Sequence, residues 1–433
     1  MDQPLPSCPV EDDAARLDDL GIGQPGTLIV VAMETLWPPN HGGRVDRWNR
    51  WRLLKSLGWR LIFVSWTQDD SHEAPGHKTA MAEIFDHCFF FSNRMSIGSI
   101  ARRILLLPRH SPHMSARMIP AGQRRRLVAQ LAPFGADAVV MDGLYGSGLG
   151  VALAADLGVP LYYRSHNIEH LYMAHQAAAA RGLKRKIAMR LASLHLERAE
   201  TEIMRGADWV FDISADDMRF WAGKGVTRAS WLPPMVALAP AMEAAPIPWA
   251  ERPYDIAYLG NLNTPNNVEG LAWFVEQVLP PLQRRRPDVR ILLAGSNPSP
   301  AMRALVADRS GIDLVANPED GGAIRAQGRV LVNPILRGSG VNVKSVEMLF
   351  TDSPVVTTNI GVQGLDAETR GAFAVADDPS DYAALIDAML DAGPVARADR
   401  QPHRDRFGIV AARGLSDLLR GLIGRAPAQD SAG

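Results

Sequence analysis

Short, almost wholly apolar runs recur along this chain, separated by stretches with helical spacing. Leu28 to Met33, Leu61 to Trp66, Phe89 to Phe91, Ala138 to Asp142, Leu161 to Arg164, Asp208 to Ile213 and Ser230 to Leu232 form a first series. Uninterrupted apolar strands between helices predict a parallel sheet covered on both faces. From Met235 to Arg252 the pattern dissolves into alanine and proline, which reads as a linker. It then restarts with Asp255 to Gly260, Val289 to Gly295, Val330 to Pro334 and Val355 to Thr358. Pro265 opens a helix, where its missing N–H costs nothing. Pro379 to Ala392 and about Phe407 to Leu422 read as further helices.

The fold class is therefore α/β: two doubly wound, Rossmann-like domains facing a cleft. The expected boundaries are a disordered lead-in over 1–26, a first domain over 27–235, a linker over 236–252 and a second domain over 253–400. A helix over 401–425 crosses back to the first domain, and 426–433 is a tail. A length of 433 residues suits two cores better than one.

Composition adds exclusions. Net charge is −1, which gives no reason to expect nucleic acid. Cys8 and Cys88 cannot make a disulfide framework, so a cytoplasmic setting is expected. No 18-residue apolar run is present, and the N-terminus lacks a signal-peptide core.

Candidate chemistry concentrates after the last-but-one strand of the second series. Arg337, Gly338, Ser339, Gly340, Val341 and Asn342 form a glycine-broken loop, and a helix starts at about Asn342. Exposed backbone N–H groups and a helix N-terminus suit phosphate. Lys344 and Glu347, three apart, share one helix face. A lysine that neutralises phosphate and a carboxylate that accepts from a sugar diol fit a nucleotide sugar. Read blandly, the same pair is a surface ion pair on a packing helix.

Four segments, in order, carry a resemblance: Pro39 to Gly43 after the first strand, Arg164 to His170 at a strand end, Tyr258 to Leu262 with Pro265 to Asn267, and Gly338 to Gly364. Over roughly residues 27 to 395 the chain resembles the retaining GT-B glycosyltransferases, specifically glycosyltransferase family 4. The resemblance implies sugar transfer from a nucleotide-diphosphate sugar to a glycan or lipid-linked acceptor of a bacterial surface glycan, without a metal. It implies that His166 touches the donor sugar and that Lys344 and Arg337 hold the diphosphate. Gly42, Gly43, Gly260, Asn261, Gly338, Ser339, Gly340, Val341, Asn342 and Glu347 complete the donor site. The first of the family's two glutamates falls on Ser339, and Asn261 and Asn267 replace the usual arginine and lysine.

Other readings compete. His166, Glu169 and His170 also spell H-x-x-E-H, a zinc hydrolase signature, although the strand running into it disfavours a helix there. Gly146 to Gly150 hints at dinucleotide binding, but its spacing suits close helix–strand packing better. A nucleotide-sugar epimerase of the same fold, or an inactive binding protein, would share most of these features. Finally, no acidic residue lies between Asp86 and Asp137, where there are eight arginines, and Arg181, Lys184, Arg185, Lys186 and Arg190 follow. Mixed with Ile104 to Leu107, they suggest an anionic membrane surface and a peripheral location.

Overall fold

The structure is a computed structural model that describes residues 25–424 apart from 40–41, 95, 180–181, 238–246 and 339. The lead-in, Asn40, His41, Arg181, most of the linker, Ser339 and the tail thus lie outside the described residues.

Two parallel sheets form the core. The first has seven strands: β1 (Thr27–Ala32), β2 (Arg60–Thr67), β3 (His87–Ser92), β4 (Ala138–Asp142), β5 (Leu161–Ser165), β6 (Trp209–Asp212) and β7 (Ala229–Trp231). Their spatial order is β3-β2-β1-β4-β5-β6-β7. The second has six: β8 (Tyr254–Leu259), β9 (Ile291–Gly295), β10 (Ile312–Ala316), β11 (Gly328–Asn333), β12 (Val355–Thr357) and β13 (Ala374–Val375), ordered β10-β9-β8-β11-β12-β13. Every pairing in both is parallel. Among the described residues, no helix is long and apolar enough to cross a membrane.

β1 shows why an unbroken apolar run is needed. Leu28, Val30 and Ala32 enter one hydrophobic layer, and Ile29 and Val31 enter the other. The two-residue period of a strand sends neighbours to opposite faces, and both faces here are covered. The edge strands of the second sheet differ. β10 and β13 were not expected from sequence: β10 alternates buried Ile312 with exposed Asp313, and β13 is two residues long. Neither makes the apolar run that marks a central strand.

Past Pro379–Ala392 the chain forms two helices, Arg397–Phe407 and Ile409–Ile423, rather than one. The second returns to the first domain. Ala412, Leu415 and Leu419 are buried with Leu54 and Trp59, and Trp59 Nε1 donates to Ser416 Oγ at 2.8 Å. The glycine run after β4 packs as its spacing suggested. A Cβ at Gly146 would sit 3.3 Å from Trp66, and one at Gly150 would sit 3.3 Å from Met141.

Each sheet reverses its winding at one place, between β1 and β4 in the first domain and between β8 and β11 in the second. Strand ends at such a reversal leave an open crevice, where α/β folds hold ligands.

Candidate active site

In the second domain that crevice holds Lys344. It lies on the Val343–Met348 helix, which follows the Arg337–Asn342 loop out of β11. Lys344 Nζ donates to the Tyr258 hydroxyl at 2.9 Å, to Asn267 Oδ1 at 3.0 Å and, more weakly, to Asn333 Oδ1 at 3.5 Å. Tyr258 belongs to β8 and Asn333 ends β11, so the ammonium spans the two strands at the reversal. It also sits 4.6 Å from the centroid of the Tyr258 ring. Among the described residues no carboxylate comes within salt-bridge distance of it. Burial pushes its pKa down to about 7, opposed by Glu347.

The structure gathers Gly260 and Asn261 at the same point. A Cβ on Gly260 would lie 3.1 Å from Lys344 Nζ and 2.5 Å from the Tyr258 hydroxyl. Asn267 Nδ2 donates to the Asn261 carbonyl at 2.8 Å, which turns its Oδ1 to the lysine. Asn267 therefore tethers the lysine where a cation would have repelled it. Glu347 points elsewhere: its Oε2 accepts from Arg325 Nη2 at 2.7 Å. Arg337 is 74% exposed and pairs with Glu269 at 3.3 Å. Gly338 is exposed, Val341 and Asn342 are half-buried, and Asn342 precedes the helix without a capping side-chain bond.

Facing this, the first domain presents the ends of β4 and β5. His166 Nε2 lies 2.6 Å from Asp142 Oδ1, and its Nδ1 lies 3.7 Å from Asp46 Oδ2. Arg50 pairs with Asp142 and Asp46, each at 2.9 Å, and Trp51 Nε1 donates to Asp142 at 2.7 Å. Arg164 approaches Asp46 at 3.5 Å. Asp46, Arg50, Asp142 and Arg164 are all buried. Buried charges persist only when paired, and here two cations meet two anions. The cations hold both carboxyls below the usual range against the pull of burial. Burial pushes His166 down to about 4, against the lift from Asp142, so the ring is neutral at pH 7. An ionised carboxylate can only accept, so Nε2 carries the proton.

The two halves meet at the glycines. Gly340 has φ +68°, and a Cβ there would run into Asn167 Oδ1 and lie 3.5 Å from the His166 carbonyl oxygen. Gly42 opens the Gly42–Ser56 helix, with Val343 3.9 Å from where its Cβ would stand; Gly43 follows it and its carbonyl accepts from Arg47 Nε at 2.9 Å. Thus Gly260, Asn261 and Lys344 form one cluster, His166 and Gly340 touch across the cleft, and Arg337 lies out on the surface.

The zinc reading loses its geometry. His166 ends a strand segment and binds Asp142; Glu169 opens a helix and accepts from Tyr145 at 2.9 Å; His170 Nδ1 meets Glu200 at 2.5 Å. Among the described residues no group of three or more His, Cys, Asp or Glu is placed to hold a metal.

Sequence reasoning gave no site role to Asp142, Asp46, Arg50, Tyr258, Asn333 and Arg325. A signal existed for two of them. Asp142 and Asn333 are polar residues that close apolar runs, which places them at strand C-termini.

Two facing parallel-sheet domains with polar clusters at both reversals define the GT-B fold. Residues 253–392 match the family model described as glycosyl transferases group 1. A Klebsiella pneumoniae protein described as an uncharacterized 44.6 kDa protein in cps region is 25% identical over 364 residues, covering 81% of this chain and 87% of its own. Among solved structures, Anabaena HepE in complex with UDP is 11% identical and superposes with a TM-score of 0.60, covering 91% of this chain and 100% of its own. A mutant of S. aureus TarM in complex with Fondaparinux, alpha-GlcNAc-glycerol and UDP is 10% identical, with a TM-score of 0.61 over 92% of this chain and 99% of its own. The chain thus has the GT-B fold, and residues 253–392 of its second domain resemble glycosyl transferases group 1.

Proposed function

We propose that this chain transfers a hexosyl group from a nucleotide-diphosphate sugar to a hydroxyl acceptor, as a retaining glycosyltransferase resembling family 4. The acceptor is a lipid-linked or polysaccharide intermediate of a bacterial surface glycan. The K. pneumoniae relative, described from a cps region, supports that setting.

The observation that carries the reading is Lys344. Among the described residues its ammonium bonds only neutral groups at the strand reversal, and burial takes it largely out of water. A cation so placed lacks a counter-charge, which a diphosphate supplies. As the glycosidic bond breaks, negative charge grows on the leaving phosphate, and a preorganised cation in a partly desolvated cleft lowers that barrier. Backbone N–H groups of Gly338, Gly340 and Val341 add to it, and Arg337 swings from Glu269 to the outer phosphate. The free oxygen of Glu347 accepts from the ribose while Arg325 holds the other. Across the cleft, His166 is fixed by Asp142 beside the donor sugar, and Gly42 and Gly43 leave room for the acceptor. Retention rests on the resemblance: the acceptor attacks from the leaving group's face, and the departing phosphate oxygen takes its proton. No metal is used.

A thermal-shift screen with UDP, GDP, ADP, CMP and dTDP tests donor binding, since a ligand of the folded state alone raises its stability. UDP comes first, because both solved neighbours hold it. The sugar form of the best nucleotide is then followed by NMR with and without a glycan acceptor. Glycoside formed with the donor's anomeric configuration is the expected result. Isomerised sugar without acceptor would make the protein an epimerase, and no shift with any nucleotide would remove the reading.

A further inference from the structure

Two helices of the first domain carry apolar residues on the side that faces water. In Ile97–Leu106, Ile97, Ala101, Ile104 and Leu105 follow the i, i+4, i+7, i+8 spacing of one face, and all four are exposed. Ile97 is 90% exposed, Leu105 79% and Ile104 65%. In Leu183–Ala192, Leu183, Ile187 and Leu191 repeat every fourth residue and are also exposed, with Leu183 at 75%. A surface helix ordinarily turns such a stripe toward the core. Contiguous apolar surface of this kind marks an interaction site.

The two helices are joined through a third. Both helices pack on the short Pro112–Ser115 helix, and His195 Nε2 hydrogen-bonds the Leu107 carbonyl at 3.1 Å. Charge tells what covers them. Lys184, Lys186 and Arg190 are exposed on the second helix, and Arg109 is exposed just past the first. No acidic residue occurs in sequence between Asp86 and Asp137 to offset the arginines there. The basic face is narrower than the arginine run suggested. Arg103 bonds Asn93 at 2.9 Å, Arg124 pairs with Asp156 at 3.0 Å, and Arg117 turns inward to the carbonyls of Met33 and His113 at 2.8 and 3.0 Å.

We propose that this face docks on an anionic lipid bilayer. The stripes enter the boundary between headgroups and acyl chains, and Lys184, Lys186, Arg190 and Arg109 meet headgroup phosphates. Apolar and cationic groups side by side are the pattern of an interfacial helix, whereas a second copy of this chain would set like charges against each other. The face also borders the cleft. Arg117, just after the Pro112–Ser115 helix, reaches Met33 at the end of β1, so a docked molecule meets the lipid surface beside its acceptor side. Docking does not depend on the transferase reading, and its test needs no nucleotide.

Co-sedimentation at low salt compares vesicles of phosphatidylglycerol mixed with phosphatidylcholine against phosphatidylcholine alone. About tenfold more protein should pellet with the anionic vesicles, and salt should reverse it. Ile104→Glu with Leu183→Glu, and separately Lys184→Glu with Arg190→Glu, should each abolish the difference. These positions are exposed, so the calorimetric melting temperature should match that of the parent. Equal pelleting with both vesicles overturns the proposal, as does parental binding by either double variant. If the apolar double variant instead dissociates a dimer in sedimentation velocity and binds vesicles unchanged, the face joins two copies of this chain.

Discussion

Glu347 Oε2 accepts a hydrogen bond from Arg325 Nη2 at 2.7 Å, with the arginine 8% and the glutamate 18% exposed. The pair joins the Gly321–Ala326 helix to the Val343–Met348 helix. It holds one carboxylate oxygen, and the proposed ribose contact falls to the other. Glu347→Ala should weaken nucleotide binding by about 1–3 kcal/mol, the cost of unpaired hydroxyls, and also lower the melting temperature by stranding Arg325. Calorimetric titration with UDP checks the first effect. Arg325→Met separates the two, because it should lower stability while keeping most of the affinity.

Burial pushes the Lys344 pKa down to about 7, and a bound diphosphate favours its charged form. The sign follows from that. Above pH 7 the free lysine is neutral, so binding must take up a proton, and affinity falls as pH rises. Calorimetry between pH 7.5 and 9, in buffers of different ionisation enthalpy, should show proton uptake. Lys344→Arg should bind with a flat profile over that window, and Lys344→Met should lose about 1.5–3 kcal/mol of affinity.

Asp142 answers three groups at once: Arg50, Trp51 and His166. Asp142→Asn leaves the buried Arg50 with one anion in place of two, and should cost about 3–5 kcal/mol at pH 7. Its carboxyl is depressed in the folded state, so the stability it contributes is complete above the unfolded carboxylate value of about 3.9. That contribution is lost only as pH falls below this value toward the folded one. Thermal unfolding of the parent and the variant should therefore differ most at neutral pH and converge in acid.

Gly340 lies in the left-handed region at φ +68°, with Asn167 of the other domain filling the place of a Cβ. Gly340→Ala should cost about 1–2 kcal/mol locally and push the domains apart. Misplacement of that order can lower turnover about a hundredfold. Because Lys344 is untouched, kcat should fall more than KM rises. Asn167→Ala removes the obstructing side chain, so the double variant should recover part of the turnover.

The alternation of apolar runs determined the architecture. Ala138 to Asp142 and Leu161 to Arg164 became β4 and β5 almost residue for residue, because an unbroken apolar run has nowhere to go but a strand covered on both faces. The spacing of Lys344 and Glu347 likewise set them on one short helix, and the glycines around Gly340 marked a place of close approach. Only the tertiary structure decided what those residues touch. Tyr258, Asn267 and Asn333 reach Lys344 from 86, 77 and 11 positions away, and Asp142 meets Arg50 from 92. Such pairings arise where strands far apart in sequence end side by side at a winding reversal, and local pattern carries no record of that. The edges of the second sheet escaped for a related reason: a strand buried on one side, such as β10, needs no continuous apolar run. Exposure was decided last. The same arginine run turns Arg117 inward and Ile104 outward, because each side chain settles by what the rest of the chain leaves uncovered.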